Sequence, residues 1–261
     1  MNMESPIVFE RVGNVGKITL NRPTKLNAFN REMAFQLQAV LDECATAQDI
    51  RAVYMTGNGK AFCAGQDLAE VTDPNGPGMN RILSEHYNPI VSKIKWLEKP
   101  VVAAVNGVAA GAGANIALCC DIVVAAQSAS FIQAFSGIGL IPDSGGTFML
   151  PRLVGWQKAS ALMLLGDKVP AAEAERMGMI YKVFEDEQFA EASWQLAERL
   201  AAMPTKALGM TKLALRWSFA HTFKEQLENE DKLQQRAAAT ADFKEGVAAF
   251  LEKRKPSFKG E

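Results

Sequence analysis

Histidine is nearly absent: His86 and His221 are the only two in 261 residues. Histidine-rich metal centres and nucleophiles that need a histidine base have little to draw on, and a metal would have to be held by carboxylates. Cysteine is scarce too, and Cys44, Cys63, Cys119 and Cys120 show no CxxC spacing and imply no disulfide framework. Neither sign of charge is in excess. Lys and Arg number 28 against 29 Asp and Glu, a net charge of −1. A chain-wide grip on nucleic acid or on an anionic membrane is therefore not expected, although a local basic patch can still hold a phosphate. The opening MNMESPIVFE has neither a basic n-region nor an apolar h-region, so no secretory leader is expected and a reducing, cytoplasmic setting is. One uncharged run, the 20 residues Val101–Cys120, is long enough on paper to span a bilayer. Asn106, Gly107, Gly111, Gly113 and Asn115 interrupt it, so a strand, a tight turn and a buried helix read better.

What is present is a globular balance, 48% hydrophobic and 22% charged, enough for one large α/β domain with an appendage. Ile7 to Pro23 reads as two short strands around a glycine turn, with Val15, Ile18 and Leu20 facing the core. Asn30 is placed to cap a helix bearing Met33, Leu37, Val40, Leu41 and Cys44 on one stripe. Arg51 to Thr56 reads as a strand and GNGKAFCAGQDL as a glycine-punctuated loop. The breaker cluster Asp73–Gly78 predicts a mobile loop, and a helix is expected from about Met79 to Leu97. The order then recurs: VVAAV as strand, NGVAAGAG as Gly/Ala turn, ANIALCC as helix, DIVVAA as strand. FIQAFSGIGLIPDSGG reads as another extended segment ending in a polar, glycine-rich turn. Strand, glycine turn and helix thus repeat around Gly65 and Gly111, which suggests a superhelix of similar units. Beyond about residue 155 strand signals fade and helical spacing takes over. Phe189, Leu196, Leu200 and Met203 keep that spacing, as do Phe243, Val247, Phe250 and Leu251.

Two motifs fall short of what they suggest. GAGANI at Gly111–Ile116 follows a strand and opens a helix, but its sixth position is Ile116 and no acid lies about 20 residues on, as a dinucleotide site requires. DSGG at Asp143–Gly146 offers Ser144 as a nucleophile without an evident histidine partner. The two Gly/Ala turns remain. Small residues let a ligand approach the backbone, and two converging N–H groups at such turns would stabilise an oxyanion. Equally, Gly and Ala there serve close packing. Asp143 stands after an apolar run at an expected strand exit. Partial burial would raise its pKa and suit it to proton transfer, while P-D-S-G is also an ordinary turn.

AFCAGQDL (61–68), PVVAAVNGVAAGAG (100–113), CDIVVAA (120–126), IGLIPDSGGTFMLPRLVG (138–155) and LLGDKVPAAEAERMGMI (164–180) occur in this order. Together with NRPTKLNAF (21–29) and the closing EKRKPSF, they resemble the crotonase (enoyl-CoA hydratase/isomerase) superfamily over nearly the whole chain. The resemblance implies an α/β fold, a ββα superhelical (spiral) core over residues 1–198 holding the CoA and active sites. It implies a C-terminal α-helical region, 199–261, for trimerisation and pocket closure. An acyl-CoA thioester would be the substrate, with no metal or redox cofactor, no nucleic acid and no membrane partner, and the assembly a homotrimer or a hexamer built as a dimer of trimers. The family's two oxyanion donors map onto the backbone N–H groups of Gln66 and Ala112. Lys25 and the loop Ala64, Gln66, Asp67, Leu68 map onto the CoA-binding surface, with Ala112 and Phe135 on the pocket side. The basic run Lys253–Lys255 and Phe258 would reach a CoA, that of a neighbouring subunit included.

The departures bear on the reaction. The hydratases' two glutamates are replaced by Asn115 and Phe135, so syn-addition of water by a Glu pair is not implied. A lone acid, Asp143, appears instead. That pattern resembles the branch that isomerises the ring epoxide of phenylacetyl-CoA towards the oxepin. It also suits a Δ3-to-Δ2 enoyl-CoA double-bond shift, with Asp143 as the one acid/base. Asn115 would hydrogen-bond Asp143 or a substrate oxygen, or merely satisfy the helix start. The alternatives are a 4-chlorobenzoyl-CoA-type dehalogenase or thioester hydrolase with Asp143 as nucleophile, and a non-catalytic acyl-CoA- or RNA-binding homologue.

Overall fold

The computed structural model describes residues 5–261; residues 1–4, the start of the segment read for a leader, lie outside the described residues. Ile7–Val12 (β1) and Val15–Leu20 (β2) form an antiparallel hairpin, with Val12 opposite Val15. Ile18 and Leu20 are buried on one face of β2 as alternation requires, and Val15, on the other face, is buried at the start of the strand. Arg31–Thr46 (α1) begins where the Asn30 side chain accepts the Met33 N–H at 3.0 Å, and buries Met33, Leu37, Leu41 and Cys44.

The rest of the core is built from strand pairs. Ala52–Gly57 (β3) is followed by Ala61–Cys63 (β4), Val101–Val105 (β5) by Val108–Ala110 (β6), and Ile122–Ala126 (β7) by Ser130–Ile132 (β8). Lys168–Pro170 (β9) and Lys182–Phe184 (β10) come later. First members enter a six-stranded sheet, β1-β2-β3-β5-β7-β10; second members enter a four-stranded sheet, β4-β6-β8-β9. Apart from β1/β2 and β8/β9 all pairings are parallel. Helices follow each pair: Leu68–Thr72 (α2), Gly78–Arg81 (α3) and Asn88–Trp96 (α4), then Ala112–Cys119 (α5), then Gly146–Val154 (α6) and Trp156–Leu165 (α7). The ββα unit therefore recurs, and the chain winds as a spiral. Strands β3, β5 and β7 are covered on both faces, which is why they read as unbroken apolar runs rather than as alternation.

Several expectations need correction. The segments read as a glycine loop after Thr56 and a Gly/Ala turn after Val105 each contain a three-residue strand, β4 and β6. Strands also continue past residue 155, as β9 and β10. Elements this short hold too few residues to show a period of two. The single helix expected from Met79 to Leu97 is interrupted by a π-helical turn at Ile82–Tyr87. Pro89 explains part of it, since it has no N–H for the carbonyl of Glu85, which accepts Gln38 Nε2 at 2.7 Å instead. The uncharged run Val101–Cys120 divides into β5, β6 and α5, and no helix among the described residues is long and apolar enough to cross a membrane.

Ala171–Arg176 (α8) leads to β10, and Asp186–Ala201 (α9) lies on the large sheet, where Tyr54 Oη and Ser193 Oγ are 2.9 Å apart. Position 198 falls inside α9, so the core continues to its end; Met203 lies beyond it. Thr205–Trp217 (α10), Phe223–Ala238 (α11) and Ala241–Leu251 (α12) complete the helical region. A partly buried ion pair fastens α10 to the core: Lys212 Nζ lies 2.7 Å from Asp121 Oδ2 and donates to Ile94 O at 2.8 Å. On α12, Phe250 and Leu251 face outward.

Candidate active site

Strands β4 and β6 are parallel neighbours, so the turns that leave them open side by side. At the end of β4 the chain must reverse tightly, and Gly65 adopts φ +96°, open to glycine but strained for side chains. The Gly65 carbonyl accepts the Phe29 N–H at 2.7 Å, and the Asp67 N–H returns to Phe29 O at 2.8 Å. Because a trans peptide points its C=O and N–H in opposite directions, the Gln66 N–H is turned away from Phe29. At the end of β6, Gly111 has φ +53° and its N–H bonds Ile132 O at 2.8 Å. Its carbonyl accepts the Asn115 N–H at 3.1 Å, so the Ala112 N–H projects from the start of α5. Among the described residues neither the Gln66 nor the Ala112 N–H has a protein acceptor. A β-carbon on Gly65 would stand 3.6 Å from Ala112 N. Two turns, each with a backbone N–H that no protein group accepts, thus lie side by side.

Asp143 joins them from the loop after β8. Asn115, fully buried one turn into α5, donates its Nδ2 to the Asp143 carbonyl at 2.8 Å and accepts Gln133 Nε2 on Oδ1 at 2.8 Å. The Gly146 N–H closes the loop on the same carbonyl at 2.8 Å. Residue 146 must be glycine, since a β-carbon there would lie 2.3 Å from Asn115 Nδ2. Both ends of the Asn115 amide are therefore occupied by protein, and one of them ties the Asp143 backbone to α5. The Asp143 carboxylate accepts Ser144 Oγ at 2.8 Å. Ser144 is 1% exposed and has no histidine beside it: His86 Nε2 lies 3.2 Å from Arg31 Nη1, and His221 stacks on Trp217. His86 is itself fully buried.

Burial raises the Asp143 pKa above the ordinary carboxylate range, with the Ser144 hydroxyl bond opposing it. Tyr87 is pushed well above its ordinary value, chiefly by burial, with the carboxylates of Asp143 and Glu70 adding to it. Cys63, beneath the Gly65 turn, is pushed up to about 12 by burial and is no nucleophile. Despite partial burial, Asp67 is held below the usual range by Arg22, the Ala69 N–H and Lys25.

A family model described as Enoyl-CoA hydratase/isomerase matches residues 10–261. The chain belongs to the enoyl-CoA hydratase/isomerase family. It is 48% identical over 246 residues to the 1,2-epoxyphenylacetyl-CoA isomerase of Escherichia coli (strain K12), covering 93% of this chain and 94% of that one. It is 37% identical to the 2,3-dehydroadipyl-CoA hydratase of the same organism, covering 98% and 99%. A solved enoyl-CoA hydratase from Bacillus anthracis superposes with a TM-score of 0.92 at 32% identity, covering 98% of this chain and all of that one. The family's crotonase fold, with its paired sheets, is the architecture described above.

In this member of the family, Gln66, Ala112, Asp143 and Asn115 come together. Phe135 joins them, its ring Cζ 3.8 Å from where a β-carbon on Gly111 would be. Lys25, in the short 3-10 turn Pro23–Lys25, lies alongside: Ala64 N–H bonds Leu26 O at 2.9 Å. Asp67 faces inward. It pairs with Arg22 at 2.9 Å and caps α2 through the Ala69 N–H, while Leu68 is exposed. The C-terminal tail sits elsewhere. Phe258 O accepts Arg51 Nη1 at 2.8 Å at the entry of β3, its ring faces Gly246, and Arg254 pairs with Glu245. Sequence reasoning missed Tyr87, Glu70 and Gln133. Gln133 carried the one available signal, a buried amide within the apolar FIQAF.

Proposed function

We propose that this chain is an acyl-CoA isomerase that acts on the ring epoxide of phenylacetyl-CoA, 2-(1,2-epoxy-1,2-dihydrophenyl)acetyl-CoA, or shifts a Δ3 double bond to Δ2. The observation that carries the reading is a single, partly buried carboxylate, Asp143, whose backbone is tied to the helix that presents the Ala112 donor. The 48% identity to an isomerase of that name supports the substrate class. The thioester oxygen accepts from Gln66 N–H and Ala112 N–H. Charge grows on that oxygen as a proton leaves carbon, so these bonds strengthen along the reaction path. Asp143 takes the proton and returns it to another carbon, or assists opening of the epoxide as the C–O bonds reorganise. An isomerisation has no net proton change, so one carboxylate serves both halves, and its raised pKa suits it to both. Hydration is disfavoured because Asn115, bonded to Asp143, and Phe135, beside the Gly111 turn, bring no second carboxylate. No cofactor is required. Lys25 and the loop Ala64–Leu68 hold the CoA, and Phe135 walls the acyl pocket. The protein works in the cytoplasm in phenylacetate breakdown, as a homotrimer or dimer of trimers; the exposed Trp156, Leu164, Phe223 and Phe250 support an interface.

The test is product analysis on the ring epoxide, a 3-enoyl-CoA, crotonyl-CoA and 4-chlorobenzoyl-CoA. Conversion at unchanged mass, lost in Asp143→Asn, is the expected result. Rapid hydration of crotonyl-CoA, or release of chloride or free CoA, would overturn it.

A further inference from the structure

The side chain of Gln66 has no part in donating its own N–H, yet it is clamped at both ends. Tyr87 Oη donates to Gln66 Oε1 at 2.8 Å, and Gln66 Nε2 donates to Glu70 Oε2 at 2.8 Å. The other Glu70 oxygen accepts the Arg31 N–H at 2.7 Å, so the clamp ends on the first turn of α1. Tyr87 is 1% exposed, and its ring meets Phe29 edge-on at 5.9 Å. The peptide being steadied needs such help. Gly65 at φ +96° gives it little steric restraint, and the Phe29-to-Gly65 bond fixes its carbonyl but leaves it free to tilt about that bond. The π turn at Ile82–Tyr87 delivers the phenol. Each residue of a regular helix turns by about 100°, so removing the extra residue would swing Tyr87 off this face.

We propose that Tyr87, presented by the π turn, is a positioning residue that aims the Gln66 N–H through the Gln66 side chain. This rests on the reading of Gln66 N–H as a thioester oxyanion donor. Tyr87→Phe keeps the buried ring and deletes the hydroxyl. Bound trans-cinnamoyl-CoA reports carbonyl polarisation directly, as a red shift of its absorption, without turnover. The expected result is a diminished red shift with unchanged probe affinity, and a kcat about tenfold lower at unaltered KM. In a Gln66→Ala background the clamp is already gone, so adding Tyr87→Phe changes neither readout. A full red shift and wild-type kcat in Tyr87→Phe would overturn the proposal, as would an equal loss in the Gln66→Ala background, which would assign Tyr87 to packing alone. Should Tyr87→Phe not fold, Glu70→Ala cuts the clamp from its more exposed end, and an undiminished red shift there overturns the proposal equally. If bound probe shows no red shift in the wild type, the donor assignment itself fails and the inference falls with it.

Discussion

Replacing Asn115 by alanine tests whether Asp143 is held from α5. The side chain is fully buried and makes two hydrogen bonds, to Asp143 O and from Gln133 Nε2. Asp143 O keeps its Gly146 N–H bond, so its loss is mild. Gln133 fares worse. Its Oε1 already lacks a protein partner, and the substitution strips its Nε2 as well, stranding a buried amide. A stranded polar group costs about 1–3 kcal/mol, to which the lost bond to Asp143 adds about 1. The total is roughly 2–4 kcal/mol. For a domain of this size that lowers Tm by roughly 5–10 °C. Activity should fall further than stability alone accounts for, because the loop carrying the carboxylate is released; a shift of about 1 Å costs up to about 100-fold. Thermal unfolding followed by circular dichroism, with kcat measured well below the new Tm, separates the two effects. Wild-type kcat in a destabilised but folded variant would show that Asn115 packs the core and does not position Asp143.

Burial raises the Asp143 pKa, so the acid limb of the kcat/KM profile should lie above the ordinary carboxylate range and vanish in Asp143→Asn. The same shift has a stability sign: a carboxyl whose folded pKa is raised favours folding below its unfolded pKa and loses that contribution as pH rises through the folded one. Asp143→Asn should therefore raise Tm at neutral pH, and a fall in Tm would contradict the burial argument. Lys25→Ala should weaken binding of free CoA, less so as salt increases; an unchanged affinity at low ionic strength would remove Lys25 from the CoA surface. Lys212→Met leaves the partly buried Asp121 carboxylate without its cation and should cost about 1–3 kcal/mol in chemical denaturation, less in an Asp121→Asn background. Full additivity of the two changes would count against the pair acting as a unit.

The legible parts of the fold were those with local causes. Asn30 capping a helix with one apolar stripe needs only neighbours in sequence, as does the hairpin of β1 and β2. The small sheet was illegible because its members are three residues long and look like the turns they adjoin. At the site, Gln66, Ala112 and Asp143 stand in glycine-rich stretches that punctuate the chain and draw the eye. Tyr87 and Gln133 do not. Their significance arises only when a π turn and a short strand bring them against residues 21 and 18 positions away. The turn itself was announced solely by Pro89 within a helical pattern.

The pairing of β4 with β6 also sets a length. Adjacent strands lie about 4.8 Å apart, and turns leaving their ends inherit that separation. Two amide nitrogens so spaced each lie about 2.9 Å from a point roughly 1.6 Å beyond the line joining them, an ordinary N–H···O distance. Under the proposed function, the seat for the thioester oxygen is thus ruled off by the spacing of a β-sheet, which every sequence shares. The side chain at 112 is consequently free to change without altering that spacing, whereas under the proposed clamp the Gln66 side chain refines the aim of its own N–H. Proline at either position would erase a donor. Inserting one residue into β4 or β6 would move a donor out of line with its neighbour while leaving every side chain of the site in place.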